Sequence, residues 1–162
     1  VIGIVAAFLV GFLIQGMSEE VLLRGYFMNS VGAKHNMALA VIVNSVIFGI
    51  LHIMNPNVTF ISVLNIILFG LFASFYAIRF NNIWGICALH SAWNFFQGNI
   101  FGLEVSGMAT SNSLFTFKAV GNALLNGGAF GPEGGLAVTA VLALSIIAIL
   151  FIKNSSGKKE SD

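Results

Sequence analysis

A few ionisable side chains stand inside long apolar stretches of this sequence, where charge is costly. They are Glu19, Glu20, Arg24, His52 and His90. On insertion scales, an ionisable group at the centre of a membrane span costs about 2.5–3.5 kcal/mol, and such groups usually serve function. A carboxylate and imidazoles that share one interior can activate a water molecule and stabilise an oxyanion. These residues therefore predict a functional site in an apolar setting.

The two adjacent glutamates differ in their expected partners. Glu20 and Arg24 are spaced i,i+4 with the acid first, which is the favourable order for an ion pair on a helix. Glu19 is rotated by about 100° from Glu20 on a helix of 3.6 residues per turn, so no cation shares its face. A carboxylate without a cation partner is suited to act as a general base. The alternative is that both acids bind Arg24.

The two histidines each share a helix face with an amide. Asn44, Phe48 and His52 recur every four residues, and His90 and Asn94 are again four apart. Residues at this spacing lie on one face of a helix. A single histidine on an apolar face is usually a packed core residue. Two such stripes in separate runs, together with an unpaired glutamate in a third, predict a shared polar interior.

Two chemistries fit this set of side chains. In the first, the glutamate, the two histidines and the amide together activate a water molecule and stabilise an oxyanion, and no cofactor is needed. In the second, Glu19, His52 and His90 bind zinc, because two histidines and one glutamate form a common zinc ligand set. Asn94 suits an oxyanion donor and is a poor zinc ligand, which favours the metal-free mechanism.

The elements that must position these residues are apolar helices. A helix needs about 20 apolar residues to cross a bilayer. Turn signals divide the sequence into five apolar runs, at 1–30, 37–54, 58–78, 83–100 and 136–152. The Gly-rich stretch 101–135 is predicted to be a loop, with a short interfacial helix near 114–125. The predicted fold is therefore all-α, a polytopic membrane bundle of about five transmembrane helices.

The composition supports a membrane protein and excludes several other classes. Hydrophobic residues make up 57% of the chain and charged residues 8%, and the mean hydropathy is +0.94. Soluble domains have roughly 25% charged residues. The net charge of +1 leaves no basic surface for phosphates, so nucleic acid is not an expected partner. The lipid bilayer is the expected surroundings, and the oligomeric state is not predicted.

Residues 1–152 are predicted to form a single membrane-embedded domain, followed by a polar, disordered tail at 153–162. Because the chain opens with Val1 rather than Met, it is expected to be N-terminally truncated or processed, without upstream helices. Cys87 is the only cysteine, which excludes an internal disulfide.

Charge placement predicts the orientation in the membrane. With five alternating spans, Lys34 and Arg79 fall on the same side as the lysines of the tail. Loops rich in Lys and Arg face the cytoplasm. The C-terminus is therefore predicted to be cytoplasmic, and the resemblance carried by the motifs below implies the bacterial plasma membrane as the location.

Three short motifs make the sequence resemble a known family. Residues 19–24 read EEVLLR and match EExxxR, residues 48–52 read FGILH and match FxxxH, and residues 90–94 read HSAWN and match HxxxN. In this order, each in a separate apolar run, the motifs resemble the CPBP family, also called Abi. This family contains the CAAX proteases and bacteriocin-processing enzymes, and its eukaryotic relatives are CAAX prenyl endopeptidases.

The resemblance implies an intramembrane endopeptidase that acts on lipidated or membrane-associated peptides. It implies that Glu19 is the base that activates water, that His52 orients this water, and that His90 and Asn94 stabilise the oxyanion. Glu20 and Arg24 would be structural support that places Glu19. Members are often named metalloproteases by analogy, whereas better-studied relatives resemble glutamate-dependent enzymes.

Two other classes of function remain open at this point. The first is a non-catalytic membrane scaffold or bacteriocin-immunity protein with the same fold. A scaffold gains nothing from unpaired polar groups in lipid, which disfavours it. The second is a proton-coupled transporter, which would also use intramembrane Glu and His. It would need a continuous polar path, and the runs at 58–78 and 136–152 offer little beyond Asn65.

Overall fold

The computed structural model describes residues 2–152, and the predicted disordered tail lies outside this range. The predicted all-α fold is confirmed: residues 2–152 contain helices and no β-strand, apart from one isolated bridge between Val105 and Met108. The helices are α1 (Ile2–Glu20), a π-helical segment (Val21–Phe27), α2 (Met28–Lys34), α3 (Met37–Leu51), α4 (Phe60–Phe80), α5 (Trp84–Phe95), a second π-helical segment (Phe96–Ile100), α6 (Ala123–Asn126) and α7 (Leu136–Phe151).

Each of the five predicted apolar runs contains a helix, but the helices differ in length. The continuous helix Gly3–Lys34 and the helix Phe60–Phe80 are long and apolar enough to cross a membrane. Met37–Leu51 and Leu136–Phe151 are apolar but shorter. At 1.5 Å per residue, the 15 residues of α3 cover about 22 Å, less than the roughly 30 Å hydrocarbon core.

Local sequence explains where several helices begin. The side chain of Asn36 accepts a hydrogen bond from the backbone N–H of Leu39 and so caps α3. Thr59 and Ser62 form a reciprocal capping box at the start of α4. These caps fix the ends of two neighbouring helices, and thereby the depth at which their side chains enter the bundle.

A π-helical segment follows directly after the two glutamates. Residues Val21–Phe27 are wound with i→i+5 bonds, a feature that is frequent at functional sites. The amide of Asn29 donates to the backbone carbonyls of Arg24 at 3.1 Å and Gly25 at 2.8 Å. This side chain therefore gives additional hydrogen bonds to backbone carbonyls in the segment that carries Arg24.

The bundle is held by close helix pairs. Helix α1 packs against α5, α3 against α4, and α4 against α7. A Cβ at Gly16 would come within 2.9 Å of the backbone N of Ser91, and a Cβ at Gly70 within 2.9 Å of the Cα of Ser45. These glycines allow the backbones to approach, as small residues do between membrane helices. The α1–α5 contact brings the first and third motifs together.

The predicted interfacial helix near 114–125 is wrong for most of that range. Backbone N–H groups of Leu114, Phe115 and Phe117 each donate at 2.9 Å to carbonyls of residues 99–101, at the end of the second π-helical segment. Residues 114–117 are not helical, because their N–H groups bind carbonyls that the end of the helix leaves unsatisfied. Only the four residues of α6 are helical, between the cap Asn122 and the left-handed Gly127.

Candidate active site

The four residues predicted to be catalytic converge on one cavity. Its volume is about 780 Å³, and Glu19, His52, His90 and Asn94 all line it. Glu19 comes from α1, His52 from the end of α3, and His90 and Asn94 from α5. Most of the remaining wall is apolar, including Phe12, Leu51, Phe69, Phe72, Leu89, Val138, Val141 and Leu142. The cavity therefore joins a polar cluster to an apolar chamber.

Glu20 and Arg24 form the expected ion pair. The Arg24 Nη1 donates to Glu20 Oε1 at 2.9 Å, and both side chains are fully buried. Arg24 also lies over the ring of Phe48, 4.5 Å from its centroid. Glu19 makes no hydrogen bond to Arg24 that would support the alternative in which both acids bind it. The division into a paired and an unpaired acid is thus present in the structure.

Glu20 has a second partner that the sequence did not indicate. The Nδ1 of His90 lies 2.8 Å from Glu20 Oε1, so one carboxylate oxygen holds both Arg24 and His90. A carboxylate only accepts, which means that Nδ1 of His90 carries the hydrogen. The ring is also packed edge-on against Phe48 and Phe69, at centroid distances of 6.0 and 5.0 Å. Its orientation is therefore fixed.

Glu19 is held by its own helix and faces His90. The amide of Gln15, one turn earlier, donates to Glu19 Oε1. The other oxygen, Oε2, is buried without a hydrogen-bond partner among residues 2–152 and lies 3.8 Å from His90 Nε2. The Glu19 side chain is 28% exposed, whereas that of Glu20 is fully buried. Glu19, which lines the cavity, therefore keeps one oxygen without a hydrogen-bond partner among the described residues.

His52 lies just beyond the helix that was expected to contain it. Helix α3 ends at Leu51 instead of near residue 54, and His52 is its C-cap. The Nδ1 of His52 is 2.8 Å from the backbone carbonyl of Phe48, and the two rings pack edge to face at 4.8 Å. Because a carbonyl only accepts, Nδ1 carries the hydrogen and Nε2 is left for another partner.

Asn94 connects to Glu19 through one intermediate. Its amide donates to Gln15 Oε1 at 3.0 Å, and Gln15 in turn donates to Glu19. Asn94 is 4% exposed, so this series of hydrogen bonds begins at a buried side chain. Gln15 was missed in the sequence, although its position four residues before Glu19 places it on the same helix face.

The polar stripe expected on α3 is divided between two places. The amide of Asn44 donates to Ser74 on α4 at 3.0 Å, and Ser74 donates to the carbonyl of Gly70 at 2.8 Å. Asn44 therefore joins α3 to α4 and does not line the cavity, whereas His52 at the other end of the stripe does. Helical spacing gave the shared face but not which neighbour each residue meets.

The alternative zinc set is not assembled in the described part of the chain. Within residues 2–152, no group of three or more His, Cys, Asp or Glu side chains lies close enough together to hold a metal ion. Glu19 and His90 are neighbours, but no contact joins either of them to His52. The role of a cofactor stays a prediction from the sequence.

Glu133 also lines the cavity, and no motif or spacing had pointed to it. Its carboxylate accepts hydrogen bonds from the indole N–H of Trp93 at 3.2 Å and from the N–H and hydroxyl of Ser106 at 2.5 and 2.9 Å. Burial raises the pKa of Glu133, and the hydrogen bonds from Ser106 and Trp93 lower it by less. Trp93 also lines the cavity.

Comparison with known proteins gives one family match. Residues 2–96 match the family model described as Rce1-like, type II CAAX prenyl endopeptidase Rce1-like. No curated protein and no solved structure matches. The matched range contains all three motifs, and Glu133 lies beyond it.

Proposed function

The chain belongs to the Rce1-like family of type II CAAX prenyl endopeptidases, and from this premise we propose that it is an intramembrane endopeptidase that uses Glu19, His52, His90 and Asn94. The family and the apolar helices indicate an integral membrane protein. The observation that carries the proposal is that these four residues, from three helices, line one cavity. Such convergence is what a catalytic site requires.

In the first step, a water molecule is held between two acceptors. Glu19 Oε2 has no hydrogen-bond partner within residues 2–152, and His52 has Nε2 free because its Nδ1 donates to Phe48. Both atoms accept the hydrogens of a water, which leaves an oxygen lone pair for the substrate carbonyl. Glu19 takes the proton as the water attacks. Gln15 holds Glu19 in place through its other oxygen.

In the second step, His90 and Asn94 donate to the oxyanion that forms on the carbonyl. His90 Nδ1 already donates to Glu20, so donation from Nε2 requires the doubly protonated ring. The carboxylate of Glu20 compensates this charge directly. Asn94 has one amide hydrogen on Gln15 and a second for the oxyanion. The carbon–nitrogen bond then breaks, and Glu19 returns its proton to the leaving amine.

The shape of the site favours a substrate with an apolar part. The polar cluster opens into a chamber walled by phenylalanine, leucine and valine side chains. Burial of apolar surface stabilises binding by about 25 cal/mol per Å². We propose a lipidated or membrane-associated peptide as the substrate, with its scissile bond at the polar end. We further propose a bacterial plasma membrane location with the C-terminus in the cytoplasm, from the placement of Lys34 and Arg79.

The test compares new peptide N-termini in membranes that contain either the wild-type protein or Glu19→Gln. Glu104→Gln is the matched control, because it makes the same change in a carboxylate away from this cavity. Termini present with wild type and Glu104→Gln and absent with Glu19→Gln support the proposal. Identical termini in all three, at equal amounts of folded protein, would contradict proteolysis and favour a scaffold or immunity role. Proton flux in liposomes that depends on Glu19 would instead indicate a transporter.

A further inference from the structure

Glu133 joins three parts of the cavity wall, two through its carboxylate and one through its backbone carbonyl. One oxygen accepts from the indole of Trp93 on α5, next to Asn94 in the sequence. The other accepts from the backbone N–H and the hydroxyl of Ser106. The Glu133 backbone carbonyl accepts from Asn65 on α4 at 2.7 Å. Both carboxylate oxygens are thus used for contacts within the protein.

Ser106 lies in a tight turn, residues 105–108, that forms one side of the chamber. Val105 and Met108 exchange both backbone hydrogen bonds at 2.9 Å, and Val105, Ser106 and Met108 line the cavity. At the centre of the turn, Ser106 and Gly107 both have positive φ, 48° and 82°. A Cβ at Gly107 would lie 2.0 Å from the carbonyl oxygen of Pro56, so only glycine fits there.

Other contacts also hold this turn, including the burial of Val105 and two hydrogen bonds. The amide of Asn55 donates to the Ser106 carbonyl at 2.9 Å, and the Gly107 N–H donates to the Phe130 carbonyl at 2.8 Å. The Ser106 N–H and hydroxyl are both bound by Glu133. Without the Glu133 carboxylate, the N–H and the hydroxyl of Ser106 would both lose the acceptor that they share.

We propose that Glu133 is a positioning residue that holds the 105–108 turn as a wall of the substrate chamber, and so determines how tightly substrates bind. The effect on substrate binding rests on the proposed function. The holding of the turn itself does not depend on catalysis. Glu133 makes no hydrogen bond to Glu19, His52, His90 or Asn94, and its one link to these residues is the charge interaction with His90.

Glutamine at position 133 cannot replace the carboxylate. The backbone N–H of Ser106 and the indole N–H of Trp93 bind different oxygens of Glu133. A glutamine side chain has one oxygen and one NH₂, so one of these N–H groups would face another donor. Among the titratable groups on the helices packed against Glu133, His90 on α5 interacts with its charge and favours the ionised carboxylate. Glu133→Gln is therefore a nearly isosteric change that weakens the hold on the turn.

The first measurement is hydrogen exchange of the amides at 105–108 in the full chain, in detergent. Glu104→Gln is the matched control, because it removes a neighbouring carboxylate that makes none of these contacts. In Glu133→Gln, protection at 105–108 is expected to fall at least about tenfold while α3 to α5 keep theirs. Protection equal to that of the wild type would overturn the proposal. If Glu133→Gln does not fold, Ser106→Ala is used, and a smaller loss in the same amides is expected.

The second measurement is the kinetics of peptide cleavage. Loss of a contact that binds ground state and transition state equally raises KM and leaves kcat unchanged. In Glu133→Gln, KM is expected to rise at least about fivefold with kcat within about twofold. A fall in kcat at constant KM would overturn the role in substrate binding. If the wild-type protein cleaves no peptide, the proposed function fails, whereas the exchange data still decide whether Glu133 holds the turn.

Discussion

The replacement of Glu20 by glutamine is expected to destabilise the fold far more than the same change at Glu19. Glu20 Oε1 accepts from both Arg24 and His90, and the Glu20 and Arg24 side chains are fully buried. Glutamine keeps one acceptor oxygen but removes the charge that balances the buried guanidinium. Arg24 already has Nε and Nη2 without partners within residues 2–152, so it has no second acceptor to turn to.

The expected magnitude follows from the burial. The loss of one partner of a buried ion pair costs about 3–5 kcal/mol. The contact of Arg24 with Phe48, at 4.5 Å, contributes about 0.5–2 kcal/mol and remains in place. For a chain of 150–250 residues, each kcal/mol shifts Tm by about 2–4 °C. Glu20→Gln should therefore lower Tm by roughly 6–20 °C. Glu19→Gln, at a partly exposed carboxylate that is not paired with the buried Arg24, should lower it by less than about 4 °C.

The assay is thermal unfolding of the purified proteins in one detergent, followed by helix content. A double variant, Glu20→Gln with Arg24→Met, serves as the control, because the removal of both charges avoids an uncompensated buried cation. It should recover part of the loss that Glu20→Gln alone causes. An equal decrease in Tm for Glu19→Gln and Glu20→Gln, or a double variant less stable than the sum of its single changes, would refute this reasoning.

Two further outcomes are expected. Asn94→Ala should lower kcat at least about tenfold with the fold intact, because one oxyanion donor contributes about 10²–10³ in rate; wild-type turnover in the folded variant would remove Asn94 from the mechanism. Burial raises the pKa of Glu133 above that of a free glutamate. At a pH between these two pKa values, the folded protein binds more protons than the unfolded protein. The stability of the fold therefore decreases as pH rises through this range. We expect the Tm of Glu133→Gln, relative to that of the wild type, to increase as pH rises. A relative decrease would contradict the effect of burial on Glu133.

Local patterns in the sequence were sufficient for the apolar helices and for the Glu20–Arg24 contact within one of them. Apolar runs bounded by turn residues gave the positions of the helices, because hydropathy and turn propensity are properties of neighbouring residues. The i,i+4 spacing gave the Glu20–Arg24 pair, which the structure confirms at 2.9 Å. The same spacing gave the His90–Asn94 face, and both residues line the cavity.

Contacts between distant segments were decided by the tertiary structure alone. His90 meets Glu20 across 70 residues, and Asn65, which the sequence left without a role, binds the Glu133 carbonyl across 68. Asn44 shares a helical face with His52, yet it binds Ser74 on a neighbouring helix. A spacing rule states which side chains share a face, but the helix that this face meets depends on how the whole chain packs.

The loop at 101–135 shows most clearly that the sequence does not reveal contacts between distant residues. Glycines and polar residues at 101–135 predicted a loop, and they could not indicate that its Ser106 and Glu133 would meet at the cavity wall. Neither residue belongs to a periodic pattern, since Ser106 lies at a positive φ in a tight turn and Glu133 lies in the short 3-10 helix Pro132–Gly134. The sequence by itself thus determined the class of fold and the motif residues, because these depend on local order. Only the tertiary structure decided which of the buried polar groups become partners, because an acceptor in an apolar interior is chosen by proximity in space.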